Sequence, residues 1–198
     1  MSHSHVHETS GGASNRVKSL VAELEAAGVL TEHDLDAMVE SFLTRAQPAN
    51  GARAIARAWV DEGFRARLLA DGNAAVAELG IDLSYWAPVK LRVVANAPLR
   101  HNLIVCTLCS CYPLALLGPS PTWYKSEAYR SRAVRDPRGV LAEFGTQLGD
   151  DVEITVWDST AEVRYLVLPM RPAGTDGASE AELAALVTRN GMIGTALV

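Results

Sequence analysis

Leu103-Ile104-Val105-Cys106-Thr107-Leu108-Cys109-Ser110-Cys111 is a short apolar run that leads directly into every cysteine of the chain. Its first three residues read as a buried strand. All three thiols fall within the next six residues. A thiolate is both a soft metal ligand and a strong nucleophile. Thiols packed this tightly, at the end of a strand, point to one shared centre.

The spacing defines what kind of centre. Cys106 and Cys109 form a C-x-x-C pair able to close a loop around one ion. Cys109 and Cys111 are one residue apart, and in an extended strand they would sit well separated. For Cys111 to reach the same ion, the backbone must curl around it, which brings the amide nitrogens of Ser110 and Cys111 within reach. The sulfur and nitrogen of Cys111 then close a five-membered chelate, as do the two amide nitrogens with each other. Cys109 sulfur and Ser110 nitrogen close a six-membered one. The expected metal ligands are therefore Cys106, Cys109, Ser110 and Cys111, a claw of sulfurs and nitrogens with one position open. A deprotonated amide demands a strongly polarising ion, so trivalent iron or cobalt suits this claw better than zinc.

Other uses of these thiols fit less well. A structural zinc site wants four ligands, and the nearest fourth is His101. A redox C-x-x-C opens a helix after a strand, whereas this run ends in Cys111-Tyr112-Pro113. A disulfide framework is disfavoured by the odd cysteine count and by the absence of a secretory signal at the start.

The composition narrows the partners. The chain has 198 residues, 48% of them hydrophobic, and a formal net charge of −5. That suffices for one packed domain with an extension. No basic stripe marks a nucleic-acid surface, and no apolar run approaches the ~20 residues of a membrane span. The expected location is the cytoplasm. Lysine is confined to Lys18, Lys90 and Lys125, so the basic residues are mostly arginine, which suits carboxylate or sulfinate pairing. Three of the five histidines, His3, His5 and His7, lie in the N-terminal tail, and G-x-S-x-G, H-E-x-x-H and phosphate-binding glycine loops are absent.

Helix signals come first. Residues 1–15 read as a flexible tail. Ser14 or Asn15 is placed to cap a helix from Arg16 to Ala27 with Gly28 as its stop. Thr31 opens a second helix, with Asp34 closing a capping box and Leu35, Met38, Val39 and Phe42 as its stripe. After a break at Pro48-Ala49-Asn50-Gly51, helices are expected over Ala52–Val60, Asp61–Leu69 and Ala74–Leu79. Strands follow at Val89–Val93, Leu103–Val105, Val152–Trp157 and Val163–Leu168, and a last helix with a full capping box at Ser179–Val187. Helices first and strands later is an α+β order. Residues 16–60 read as a helical arm contacting a partner subunit, since a pair of short helices cannot bury its stripes alone. Residues 61–198 read as the metal-binding catalytic domain.

The segment Val105–Pro113 resembles the metal-claw motif of the nitrile hydratase alpha subunit. The likeness extends to Leu117-Gly118 with Pro121–Lys125, Tyr129–Arg132, Trp157-Asp158-Ser159, Leu168–Gly177 and Leu186–Arg189 with Met192-Ile193-Gly194, covering roughly residues 16 to 194. The resemblance implies a helical N-terminal arm followed by a four-layer α-β-β-α domain. It implies a low-spin trivalent metal and a beta subunit, either one chain or split into beta-like chains, with the active site between the subunits. Thr107 and Tyr112 are similar to the cobalt type, so Co(III) is expected ahead of iron, with an activator or metallochaperone as a further partner. Cys109 would be oxidised to sulfinate and Cys111 to sulfenate, their oxygens held by two arginines of the beta subunit. Cys111, Cys109 and Ser110 are the implied catalytic residues of nitrile hydration to the amide.

The chain departs from the family beside the claw. The family often continues Tyr-Pro-Trp-Pro-Val-Leu-Gly-Leu-Pro-Pro, whereas here Tyr112-Pro113-Leu114-Ala115-Leu116-Leu117-Gly118-Pro119-Ser120-Pro121 stands. Losing a Trp and a Pro implies a wider pocket for a bulky or heteroaromatic nitrile. Two alternatives are the metal subunit of a thiocyanate hydrolase, against which the neutral Leu114 and Ala115 speak, and a non-catalytic cobalt-binding module.

Overall fold

The computed structural model describes residues 9–84, 89–109 and 111–198. Residues 1–8 of the expected tail at 1–15, with its three histidines, lie outside them. The chain divides into two compact units, residues 1–44 and 45–198.

The first unit holds α1 (Thr9–Ala26) and most of α2 (Glu32–Arg45). Helix α1 begins seven residues before the expected start, so Ser14 and Asn15 lie within it and do not cap it. Gly11 and Gly12 weaken a helix without forbidding it, because each residue added to a formed helix gains a hydrogen bond. Gly28, at φ +66°, ends α1, with the Val29 N–H returning to Leu24 O at 3.0 Å. The expected box opens α2: Thr31 N–H donates to Asp34 Oδ2 at 2.8 Å, and Asp34 N–H donates to Thr31 Oγ1 at 3.1 Å. Helix α2 buries none of its residues, and Val17, Leu20, Met38 and Val39 are exposed.

The second unit is the four-layer α-β-β-α domain. Its first helical layer is α3 (Pro48–Val60), α4 (Glu62–Ala70) and α5 (Gly72–Glu78). Asp61 and Asp71 cap α4 and α5 through Phe64 N–H and Ala74 N–H. Sequence reading placed the arm's end at residue 60, yet α3 belongs to this unit. Ala54, Ile55 and Ala58 sit in its core, and Gly51 brings the helix so close to Leu116 O and Met192 that a Cβ would lie 2.6 Å from each.

Four parallel-paired strands form the middle layers. β1 (Lys90–Ala95) pairs with β4 (Val163–Leu168), and β2 (Arg100–Val105) with β3 (Glu153–Asp158). Consecutive strands β3 and β4 therefore belong to different sheets. Helices α4 and α5 cover β1, β2 packs on β4, and α8 (Glu127–Ala133) and α9 (Pro137–Glu143) cover the outer face of β2 and β3. β2 is buried from His101 to Val105, as a strand between two packed layers must be. Short helices α6 (Leu114–Leu117) and α7 (Thr122–Lys125) follow the cysteines, and α10 (Glu180–Leu186) and α11 (Arg189–Ile193) close the chain. Ser179 and Glu182 form the expected capping box of α10. Among the described residues no helix is long and apolar enough to cross a membrane.

Candidate metal centre

β2 ends at Val105, and the cysteine loop begins at the next residue. Four hydrogen bonds fix the strand's exit. Tyr129 OH donates to Ile104 O at 2.6 Å, and Ser159 N–H donates to Val105 O at 2.8 Å. Asp158, the register partner of Val105, accepts from Thr107 N–H at 2.9 Å and from Thr107 Oγ1 at 2.5 Å. At the far side Tyr124 OH donates to Cys111 O at 3.0 Å. Beneath the loop Tyr112, Trp123, Tyr124, Tyr129 and Phe144 form an aromatic cluster, edge-to-face except for the tilted Tyr124–Tyr129 pair, with centroids 4.6 to 6.2 Å apart.

These anchors converge the thiols. Cys106 Sγ lies 3.4 Å from Cys109 Sγ, and Cys109 Sγ lies 3.2 Å from Cys111 Sγ. All three sulfurs fall within 4.8 Å of one another, and none forms a disulfide. Two metal–sulfur bonds of about 2.3 Å span about 3.3 Å at a right angle and about 3.8 Å at the tetrahedral angle. The Cys106–Cys109 and Cys109–Cys111 separations match the right angle, so these donors fit a six-coordinate ion better than tetrahedral zinc. Burial, and then the bond with Cys109, push the Cys111 thiol up to about 12. A bound cation favours the thiolate form of Cys111 against that burial.

Exposure is graded across the loop. Cys106 is fully buried, Cys111 is partly buried and Cys109 is exposed. Leu108, between them, is 86% exposed. Ser110 lies outside the described residues. His101, the candidate fourth zinc ligand, is at the other end of β2, on the order of 15 Å back at the usual rise per strand residue. It is held there by Gly194 O at 2.7 Å and Asn96 at 3.4 Å.

A cavity of about 230 Å³ opens beside the loop, lined by Leu83, Leu91, Pro113, Leu114, Ala115 and Arg164 among others. Leu114 and Ala115, the positions that depart from the family pattern, thus face open space.

The family model for the nitrile hydratase alpha chain matches residues 12–196. The chain belongs to that family. It is 49% identical over 182 residues to the low-molecular-weight cobalt-containing nitrile hydratase subunit alpha of Rhodococcus rhodochrous, covering 92% of this chain and 87% of the relative. It is 45% identical over 159 residues to the thiocyanate hydrolase subunit gamma of Thiobacillus thioparus, covering 76% and 65%. Among solved structures, a double mutant of the iron-type nitrile hydratase of Comamonas testosteroni superposes with a TM-score of 0.87 at 40% identity, covering 94% of this chain and 90% of the other. Nitrile hydratase alpha chains are subunits of enzymes, and the three converging cysteines are this chain's metal-site candidate.

Three residues that hold the loop were not singled out by sequence reading: Asp158, Tyr124 and Arg130. Each stood inside a segment of family likeness. What gives each a role is its register or helix placement, which no local pattern carries.

Proposed function

We propose that this chain is the metal-bearing alpha subunit of a nitrile hydratase. The observation that carries this reading is the convergence of the three sulfurs with the burial order Cys106, Cys111, Cys109. Cys106, Cys109 and Cys111 supply sulfur ligands, and the backbone nitrogens of Ser110 and Cys111 complete the claw. Co(III) is the favoured ion, supported by the cobalt-containing relative and by Thr107 and Tyr112. When bound, it supplies Lewis acidity toward a nitrile or a water.

The chain's own residues do the rest. Cys106 anchors the loop to the core, out of reach of solvent. Cys109 and Cys111 are the accessible thiols, and oxidation follows access, so they are the pair that an external oxidant such as dioxygen takes to sulfinate and sulfenate. The oxidised Cys111 oxygen then acts on the nitrile carbon as nucleophile or on a water as general base; one water adds across the C≡N bond, its oxygen ending on carbon and its two hydrogens on nitrogen, and the amide results. Exposed Leu108 on the loop, and the exposed stripes of α1 and α2, supply apolar surface for a beta subunit or split beta-like chains. The cavity bordered by Leu114 and Ala115 is the place for a bulky or heteroaromatic nitrile.

One observation favours a second reading. Arg164 lines that same cavity, and a guanidinium there would suit a small anion such as thiocyanate. Native mass spectrometry of the chain co-expressed with its neighbouring gene products in cobalt-fed cells, followed by assays with nitriles and with thiocyanate, separates the readings. A partner, one cobalt, added oxygen on the cysteine peptide and amide formation are expected. Turnover of thiocyanate alone moves the second reading forward. A bare chain with zinc or no metal overturns both.

A further inference from the structure

Arg130 faces the cysteine loop from outside the claw. Arg130, on α8, places Nη1 3.4 Å from Thr107 O and 3.4 Å from Cys109 O. Its Nε is buried without a hydrogen-bond partner, and among the described residues no carboxylate lies within ion-pair distance of it. Its neighbours are engaged elsewhere. Arg132 is paired with Glu143 at 2.7 Å and Asp136 at 3.7 Å, and Arg135 holds Ser131 O at 2.9 Å. Arg138 is what a purely bracing arginine looks like in this fold: it grips the carbonyls of Leu148, Gly149 and Val152 at 2.7 to 3.0 Å. The contacts of Arg130 are longer, and among the described residues its charge has no acidic counterpart, so it acts on the loop through charge more than through tight bonding.

The carbonyl it faces matters. Cys109 O belongs to the peptide whose nitrogen is that of Ser110. Amide resonance spreads charge between nitrogen and oxygen of one peptide. A peptide nitrogen serving as a metal ligand therefore leaves much of its negative charge on its own carbonyl oxygen. A cation at that oxygen stabilises the arrangement from the side opposite the ion.

We propose that Arg130 is a positioning residue for the metal loop, the counter-charge to the Cys109–Ser110 peptide when that peptide's nitrogen binds the metal. The inference rests on the backbone-nitrogen ligation proposed above. Outer groups that orient a metal's ligands commonly change its retention by about 10- to 100-fold.

The test uses the purified cobalt-loaded complex with Arg130→Gln, Arg130→Lys and Arg132→Gln. Two quantities are read: the rate of cobalt loss to a chelator, and the position of the sulfur-to-metal absorption band. Arg130→Gln is expected to lose cobalt at least about tenfold faster and to shift the band, because the peptide nitrogen, without its counter-charge, is more basic and more readily reprotonated off the metal. Arg130→Lys keeps the charge and restores both toward wild type. Arg132→Gln, which removes a charge from the same helix and breaks only the exposed ion pairs with Glu143 and Asp136, matches wild type. Cobalt held by Arg130→Gln at the wild-type rate, or lost with an unmoved band, overturns the proposal, the second result leaving Arg130 a packing role. Where Arg130→Gln fails to assemble, Arg130→Lys decides: a wild-type band and rate support the proposal, and a tenfold faster loss sinks it. A wild-type complex that holds no cobalt overturns the metal reading itself, and this inference with it.

Discussion

Asp158 grips Thr107 twice, accepting from its backbone N–H at 2.9 Å and from its hydroxyl at 2.5 Å. Fifty-one positions separate them in sequence. They meet because β2 and β3 run parallel in a register that sets Asp158 beside Val105, at the point where the strand becomes the cysteine loop. The carboxylate thus fixes the direction in which the loop leaves the sheet.

Asp158→Asn keeps the shape but removes the charge and one acceptor. The loop loses a charge-assisted anchor, and cobalt content and turnover are both expected to fall by about 10-fold or more. Thr107→Val, which deletes only the hydroxyl, should fall between wild type and Asp158→Asn, while Thr107→Ser stays near wild type. Metal analysis beside initial rates checks this; full cobalt content in Asp158→Asn would show that the grip is dispensable.

Leu114→Trp restores the bulk that the family often carries after the claw. The side chain enters the cavity of about 230 Å³ that Leu114 now borders. The ratio of kcat/KM for an aromatic nitrile over that for a small aliphatic one is expected to drop by about tenfold, in line with 1–3 kcal/mol for a changed pocket contact. An unchanged ratio would mean that Leu114 packs against the partner and does not shape the substrate's space.

His101 makes stability depend on pH. It is buried and neutral, with Nε2–H donating to Gly194 O and Nδ1 accepting from Asn96. Burial lowers its pKa below the ordinary 6.5, against a smaller opposing effect of the Gly194 bond. The unfolded chain therefore binds the proton first, so the stabilising contribution is whole above about pH 6.5 and declines as pH falls below it. Thermal unfolding between pH 8 and pH 5 should show Tm falling on the acid side, with a flatter profile in His101→Gln even though that variant is less stable throughout. Parallel profiles would remove His101 as the cause.

Much of this was legible in the chain itself. The strand at Leu103–Val105 could be read because three apolar residues in a row suit burial on both faces, and the helices around Phe64, Val76 and Leu183 because apolar spacing and capping residues are local signals. The capping box at Thr31 and Asp34 was readable for the same reason. The start of α1 was misread because glycine propensity is a weak cost that helix continuation outweighs. The reach of the second unit back to Arg45 was missed because what draws α3 into it is a close approach of Gly51 to residues more than 60 positions away.

Sequence alone determined that three thiols must share one turn at the end of a buried strand, since covalent spacing leaves them nowhere else to go. Only the tertiary structure decided how they face. The parallel pairing of β2 with β3 brings Asp158 to Thr107, α8 carries Tyr129 and Arg130 to the strand exit and the loop, and the aromatic floor turns Tyr124 toward Cys111. These contacts join residues that no local pattern links, because long-range packing sets the direction of a loop whose own backbone could close in several ways.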